Sequence, residues 1–216
     1  MKEFWNQRYS ESGYAYGSEP NEFFKESLLS HRDQLLPNQS KLLMPAEGEG
    51  RNAVYAAGLG FKVTAFDVSE QARVKAMQLA NEKSIPPSSL NYHIGDCLSL
   101  DEPDESFDAV GLIYAHFPPV LKAQYYPKIV SLLKPGGWVI LEGFSENNVP
   151  YREANPKVGG PADPALLFTK EGVAEDFMSF NILSLEEQEV SLNEGRYHVG
   201  TEMVIRLIAQ KSIEAE

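Results

Sequence analysis

From Lys41 to Phe144 short apolar runs alternate with helix-length segments, and no other pattern in the chain restricts its fold as much. Leu42-Leu43-Met44, Lys62–Asp67, Leu90–Ile94, Phe107–Tyr114 and Trp138–Phe144 read as buried strands. Helices are expected over Arg51–Leu59, from a Ser69 cap to about Lys83, and over Pro119–Leu133, with Lys134-Pro-Gly-Gly137 as a turn. Strands separated by helices must pair in parallel, with helices on both faces of the sheet. The C-terminal end breaks that rhythm. Ile182–Leu192 and Tyr197–Gln210 are both extended, and little more than Asn193-Glu194-Gly195 lies between them. So short a link cannot carry a parallel crossover, so it closes a hairpin. The expectation is an α/β fold whose parallel sheet ends on an antiparallel strand.

The first forty residues differ from the rest. Phe4, Trp5, Tyr9, Tyr14 and Tyr16 are interleaved with polar residues, and Asn21 is placed to cap a helix over Glu22–Leu36 that Pro37 stops. This segment is too polar to form its own core. It is expected to pack on residues 41–216 as an aromatic cap of one domain, either as a fixed flap or as a lid over a ligand.

Charge narrows the function. With 31 acidic against 19 basic residues the net charge is −12, which repels a phosphate backbone and argues against a nucleic-acid or anionic-membrane partner. One cysteine, Cys97, excludes an internal disulfide and a multi-cysteine metal site. No run approaches the roughly 18 apolar residues of a membrane span, and Met1–Arg8 has no signal-peptide core, so a cytoplasmic location is the expectation.

Gly48-x-Gly50-x-x-Ala53 follows a strand and opens a helix, where glycines let backbone approach a ligand and helix N–H groups stand free. Asp67 ends the next strand and is placed to accept both hydroxyls of a ribose. Asp96 ends the third strand. It reads either as the partner of an adenine amine, with Cys97 walling the ring, or as a loop cap.

The motifs Ala46-Glu-Gly-Glu-Gly-Arg-Asn52, Phe66-Asp67-Val68-Ser69, Gly95-Asp96, Phe107-Asp108 and Leu133-Lys-Pro-Gly-Gly137, in this order, resemble the class I S-adenosylmethionine-dependent methyltransferases. The N-terminal Phe4-Trp5-Asn-Gln-Arg-Tyr9 and Tyr16-Gly-Ser-Glu-Pro-Asn21 are similar to the small-molecule branch near tellurite-resistance and thiopurine methyltransferases. The resemblance implies a Rossmann-like, seven-stranded, mostly parallel sheet with an antiparallel last strand. It implies S-adenosylmethionine as cofactor, held by Ala46, Glu47, Gly48, Gly50, Asn52, Asp67, Val68, Asp96, Cys97 and Tyr114. In one place the chain departs from the family. Met44 stands where the family carries a strand-one acid, leaving Glu47, Glu49 or backbone carbonyls to hold the methionine amino group.

Methyl transfer from a sulfonium needs alignment and exclusion of water more than a strong base. Tyr114 and His116 end the fourth strand, and His116, titrating near neutrality, is the expected base toward an acceptor. Trp5, Tyr16, Arg51, Phe144 and His198 are the expected acceptor contacts, with Tyr9, Glu142 and Tyr151 on the same rim and Arg51 suited to an anion. Phe144 to Asp163 reads as a long binding loop. The expected function is methyl transfer to a small molecule, at a sulfur, selenium, tellurium, nitrogen or oxygen centre. An NAD-dependent oxidoreductase and a non-catalytic binder of S-adenosylmethionine are the competing readings.

Overall fold

The computed structural model describes residues 1–213. Its strands are β1 (Lys41–Pro45), β2 (Lys62–Asp67), β3 (Leu90–Ile94), β4 (Phe107–Ile113), β5 (Leu133–Phe144), β6 (Phe180–Glu194) and β7 (His198–Lys211). They form one sheet in the order β3-β2-β1-β4-β5-β7-β6. The first five run parallel, and β7 pairs antiparallel with both β5 and β6. The crossovers include α3 (Arg51–Gly58), α4 (Glu70–Glu82) and α5 (Pro119–Leu132). Successive side chains of a strand point to opposite faces. Met44 therefore joins a core with Phe24, Ala53 and Trp138, while its neighbour Leu43 joins a second with Phe107, Leu141 and Leu207. Apolar material covers both faces, and the carboxyl ends of the parallel strands are left as the one polar edge.

The hairpin does more than close the sheet. Pairing of β5 with β7 ends at Phe144 and Val204, yet β6 and β7 stay paired out to Glu194 and His198. At about 3.3 Å per residue the two strands form an arm reaching roughly 20 Å past the end of β5. Its tip meets the N-terminal segment, where the Arg196 N–H donates to the Ala15 carbonyl.

Four elements differ from the sequence expectation. A helix α1 (Lys2–Ser10) was not expected, because it has no apolar stripe. It is held on α4, with Ser69 Oγ donating to Asn6 Oδ1 and Lys2 paired with Glu70. Helix α2 (Glu22–Ser30) begins at its Asn21 cap but stops well before Leu36, because His31 bonds the Ser27 carbonyl and packs on Trp138. β5 starts at Leu133, so Lys134–Gly137 is an irregularity inside a strand and not a turn before one. The segment after Phe144 carries a 3-10 turn (Glu146–Asn148) and α6 (Val149–Ala154), and α7 (Lys170–Asp176) follows. No helix among the described residues is long and apolar enough to cross a membrane.

Candidate functional site

The loop after β1 turns on three residues with positive φ, Ala46 at 50°, Gly48 at 61° and Gly50 at 88°. Glu47 accepts the Asn52 and Ala53 N–H groups (2.9 and 2.7 Å), so its carboxylate caps α3. Burial pushes that carboxyl up to about 7 against these bonds. Glu49 accepts the Ala15 N–H (2.6 Å) and Lys75 Nζ (2.7 Å). Glu49 is thus engaged through both oxygens, whereas Glu47 caps α3 through Oε1 alone. Met44 itself is fully buried, with its sulfur against Gly111.

Asp67 lies across this loop. One carboxylate oxygen accepts the Gly48 N–H (3.1 Å) and the other the Ser69 N–H (2.8 Å), leaving each a further lone pair. Burial pushes Asp67 up to about 6. The three atoms nearest to a Cβ on Gly48 all belong to the Tyr9 side chain, with the hydroxyl at 2.7 Å. The Gly48 face of the loop is therefore covered by a phenol side chain. A glycine face and a carboxylate with spare lone pairs fit the ribose and methionine parts of S-adenosylmethionine. Val68 follows Asp67 at this edge and is half-buried.

Asp96 caps a 3-10 turn through the Leu98 and Ser99 N–H groups, and its second oxygen accepts the Tyr125 hydroxyl (3.1 Å). Cys97 is fully buried among Leu43, Leu100 and Phe107, where burial pushes the thiol up to about 12. Cys97 has no exposed surface, whereas Leu98 beside it is about half exposed.

Beyond β4 lies a buried polar array. Tyr114 has φ 54°, a strained value for a residue with a side chain. Its hydroxyl donates to Glu142 (2.8 Å), which also accepts from Asn21 Nδ2 (2.6 Å) and Arg206 Nε (2.5 Å). Asn52, expected at the cofactor, accepts the Asn21 N–H (2.8 Å) and so ties the N-terminal segment to α3. Arg51 is buried against Glu194 (2.8 Å), which corrects its reading as a free cation for an anionic acceptor. Burial alone would raise Glu194, but hydrogen bonds from His198 and Arg51 hold its carboxyl at about 2. His198 Nδ1 stands 3.2 Å from Glu194.

His116 is also corrected. Nδ1 donates to the Leu166 carbonyl (2.7 Å), and Nε2 accepts the Phe144 N–H (3.1 Å). The ring is stacked between Phe144 and Phe168, and burial pushes it down to about 4. Neither nitrogen remains to take a proton from an acceptor, so His116 clamps the end of β5.

The structure brings most of the expected acceptor contacts together. Trp5 stacks on Tyr9, Tyr9 packs edge-on to Tyr16, and Tyr16 lies 4.5 Å from the His198 ring, which in turn packs on Tyr114 and Phe144. Tyr151 lies apart. It bonds Glu189 (2.7 Å), which alternates to the face of the arm opposite His198.

Glu202 was not foreseen, although an acid inside the apolar run of β7 is itself a signal. It is fully buried; one oxygen accepts the Gly159 N–H (3.1 Å), and the other has no partner among the described residues. Burial pushes the carboxyl up to about 7. The native state thus keeps a proton that the unfolded chain releases near 4.5. The stabilisation is full below that pH and is lost as pH rises toward 7. Glu202→Gln is therefore expected to flatten the fall in stability between pH 5 and pH 8, by on the order of 2 kcal/mol, in urea unfolding at the two pH values. Equal slopes in the two proteins would show that Glu202 is already ionised at pH 5.

Residues 43–137 match a family model described as a methyltransferase domain. An uncharacterized methyltransferase of Schizosaccharomyces pombe (C977.03) is 35% identical over 101 residues, 45% of this chain and 67% of that protein. The 2-methyl-6-phytyl-1,4-hydroquinone methyltransferase of Synechocystis is 27% identical over 118 residues, 54% of this chain but only 35% of that enzyme's length. Among solved structures, a SAM-dependent methyltransferase of Methanosarcina mazei shares the fold, with a TM-score of 0.69 at 19% identity over 91% of this chain and 100% of that one. With the glycine loop, the acid across it and the antiparallel arm in place, the chain belongs to the S-adenosylmethionine-dependent methyltransferases.

Proposed function

We propose that this protein binds S-adenosylmethionine over the Gly48–Gly50 loop with its ribose on Asp67, and methylates a small molecule enclosed between the N-terminal segment and the β6–β7 arm. The bound cofactor supplies a methyl group already activated on a sulfonium. The protein's part is to align the acceptor and exclude water. The observation that carries the reading is the pairing of a glycine face covered by the Tyr9 phenol with an acid that keeps a lone pair on each oxygen. The aromatic wall of Trp5, Tyr9, Tyr16, Tyr114 and Phe144 suits a cation, since a positive charge over a ring gains about 0.5–2 kcal/mol. Asp96 is assigned to the adenine amine, with Leu98 in place of Cys97 against the ring. The acidic chain and its enclosed site favour a small acceptor over a nucleic acid. The N-terminal likeness to the tellurite-resistance and thiopurine branch keeps sulfur, selenium and tellurium centres among the acceptors.

Calorimetry with S-adenosylmethionine and S-adenosylhomocysteine tests the donor site. Losing a charged hydrogen-bond partner costs about 1.5–3 kcal/mol, so Asp67→Ala is expected to weaken both ligands by one to two decades. Unchanged affinity in the folded variant would remove Asp67 from the site.

A further inference from the structure

The charges at the acceptor end are already matched. Arg51 is spent on Glu194 and Arg206 on Glu142, each pair joining a buried side chain to a half-buried one. Arg8, which has no carboxylate partner among the described residues, is turned onto the Tyr16 hydroxyl (3.1 Å) and the Tyr197 ring. What remains unpartnered is of the opposite kind. Among the described residues His198 hydrogen-bonds only through Nδ1, toward Glu194, and Glu202 keeps one bare carboxylate oxygen. Glu194 is ionised and accepts, so Nδ1 carries the proton and Nε2 presents a lone pair. The rings of Tyr16, Tyr114 and Phe144 flank the imidazole. The Cδ2–Nε2 edge of the His198 ring lies against Gly159, where a Cβ would come within 2.8 Å of Nε2 and within 2.5 Å of Phe144. Gly159 also donates to Glu202. Both unpartnered groups therefore lie under one short stretch of chain, Val158–Gly160, beside the residues that end β4 and β5.

We infer that the acceptor enters as a protonated nucleophile, an S–H, O–H or N–H group on a small apolar body, and that His198 Nε2 takes its proton. This rests on the methyl-transfer reading above and narrows it. In the step, the X–H proton moves to Nε2 and the electron pair left on X forms the bond to the methyl carbon. The carbon–sulfur pair of the sulfonium stays on sulfur. The imidazolium formed is balanced by Glu194, whose own charge is shared with Arg51. His198 would then lose the proton to solvent when Val158–Gly160 lifts to release product.

The test uses acceptors that differ in whether a proton must be removed. Benzyl mercaptan is protonated at pH 7, 4-nitrothiophenol is already a thiolate, and benzoate is an oxygen anion with no proton to give. His198→Asn keeps a donor toward Glu194 and removes Nε2. It is expected to lower kcat/KM for benzyl mercaptan by about 100-fold, within the usual range for a general base, and for 4-nitrothiophenol by less than 3-fold. Equal losses for the two thiols would make His198 structural and overturn the inference, as would turnover of benzoate without either thiol, or turnover of no acceptor by a wild-type protein that binds the donor. A second readout needs no variant and no turnover. In histidine-labelled protein saturated with S-adenosylhomocysteine, benzyl mercaptan is expected to shift the His198 Nε2 nitrogen resonance, and an unmoved resonance counts against the base. Absent donor binding in calorimetry would instead strike the methyl-transfer reading itself.

Discussion

Glu142→Ala is expected to cost about 3–5 kcal/mol of folding stability, because it removes a fully buried carboxylate that three separate groups share, one of them a half-buried guanidinium. The Glu142 side chain is fully buried and holds Arg206, Tyr114 and Asn21 at once. Those three come from β7, the end of β4 and the cap of α2, so one carboxylate joins three separate parts of the chain. Truncation leaves the Tyr114 phenol without its acceptor and the half-buried Arg206 without its carboxylate. For a chain of this size the loss corresponds to a fall in Tm of roughly 6–20 °C. Glu142→Gln keeps the shape and one acceptor oxygen, so the gap between the two variants in urea unfolding isolates the charge. A loss below 1 kcal/mol for the alanine variant would mean that water entering beside Arg206 takes the place of the carboxylate.

Gly50→Ala carries the other large effect. At φ 88° any side chain is strained by about 1–2 kcal/mol, and here a Cβ would also stand 2.5 Å from Ala76 Cβ and 2.9 Å from Ala76 Cα. Overpacking of that kind adds about 1–3 kcal/mol, so the expected total is about 2–5 kcal/mol. Helices α3 and α4 can separate only by dragging the glycine loop with them, so donor affinity falls along with stability. Gly13→Ala is the control: its φ is 69°, but nothing lies within 4 Å of the added carbon. The two variants share backbone strain and differ in the clash. Equal destabilisation would show that the α3–α4 contact yields.

The parallel half of the sheet was legible in the sequence because its strands are buried on both faces and read as unbroken apolar runs, bounded by caps such as Ser69. The glycine loop and Asp67 were legible for a related reason, since strand, turn and helix follow one another within about 20 residues. What stayed hidden depends on partners distant in the chain. Arg51 reads as a lone cation until Glu194, 143 positions on, is placed beside it. His116 reads as a base until backbone atoms of Phe144 and Leu166 occupy both its nitrogens. Glu47 reads as a loop acid, yet the loop folds it back onto amides five and six positions later. Helix α1 carries no stripe to find, because α4 and the aromatic chain hold it from outside.

The arm that crosses the polar edge sets a timetable for how this molecule matures. Its tip contacts are with the first residues of the chain: Arg196 reaches the carbonyls of Ala15 and Ser12, and Tyr197 bonds Glu11 from 186 positions away. At about 5–20 residues per second, a ribosome needs roughly 10–40 s to span that interval. During it Trp5, Tyr9 and Tyr16 are synthesised but have no arm to close against. The β1–β4 nucleus can collapse early from nearby sequence, whereas the enclosed chamber is the last part to form and the slowest contact to find. Nascent chains of this protein therefore gain the β1–β5 part of their sheet before their ligand site, and the aromatic segment waits for the arm.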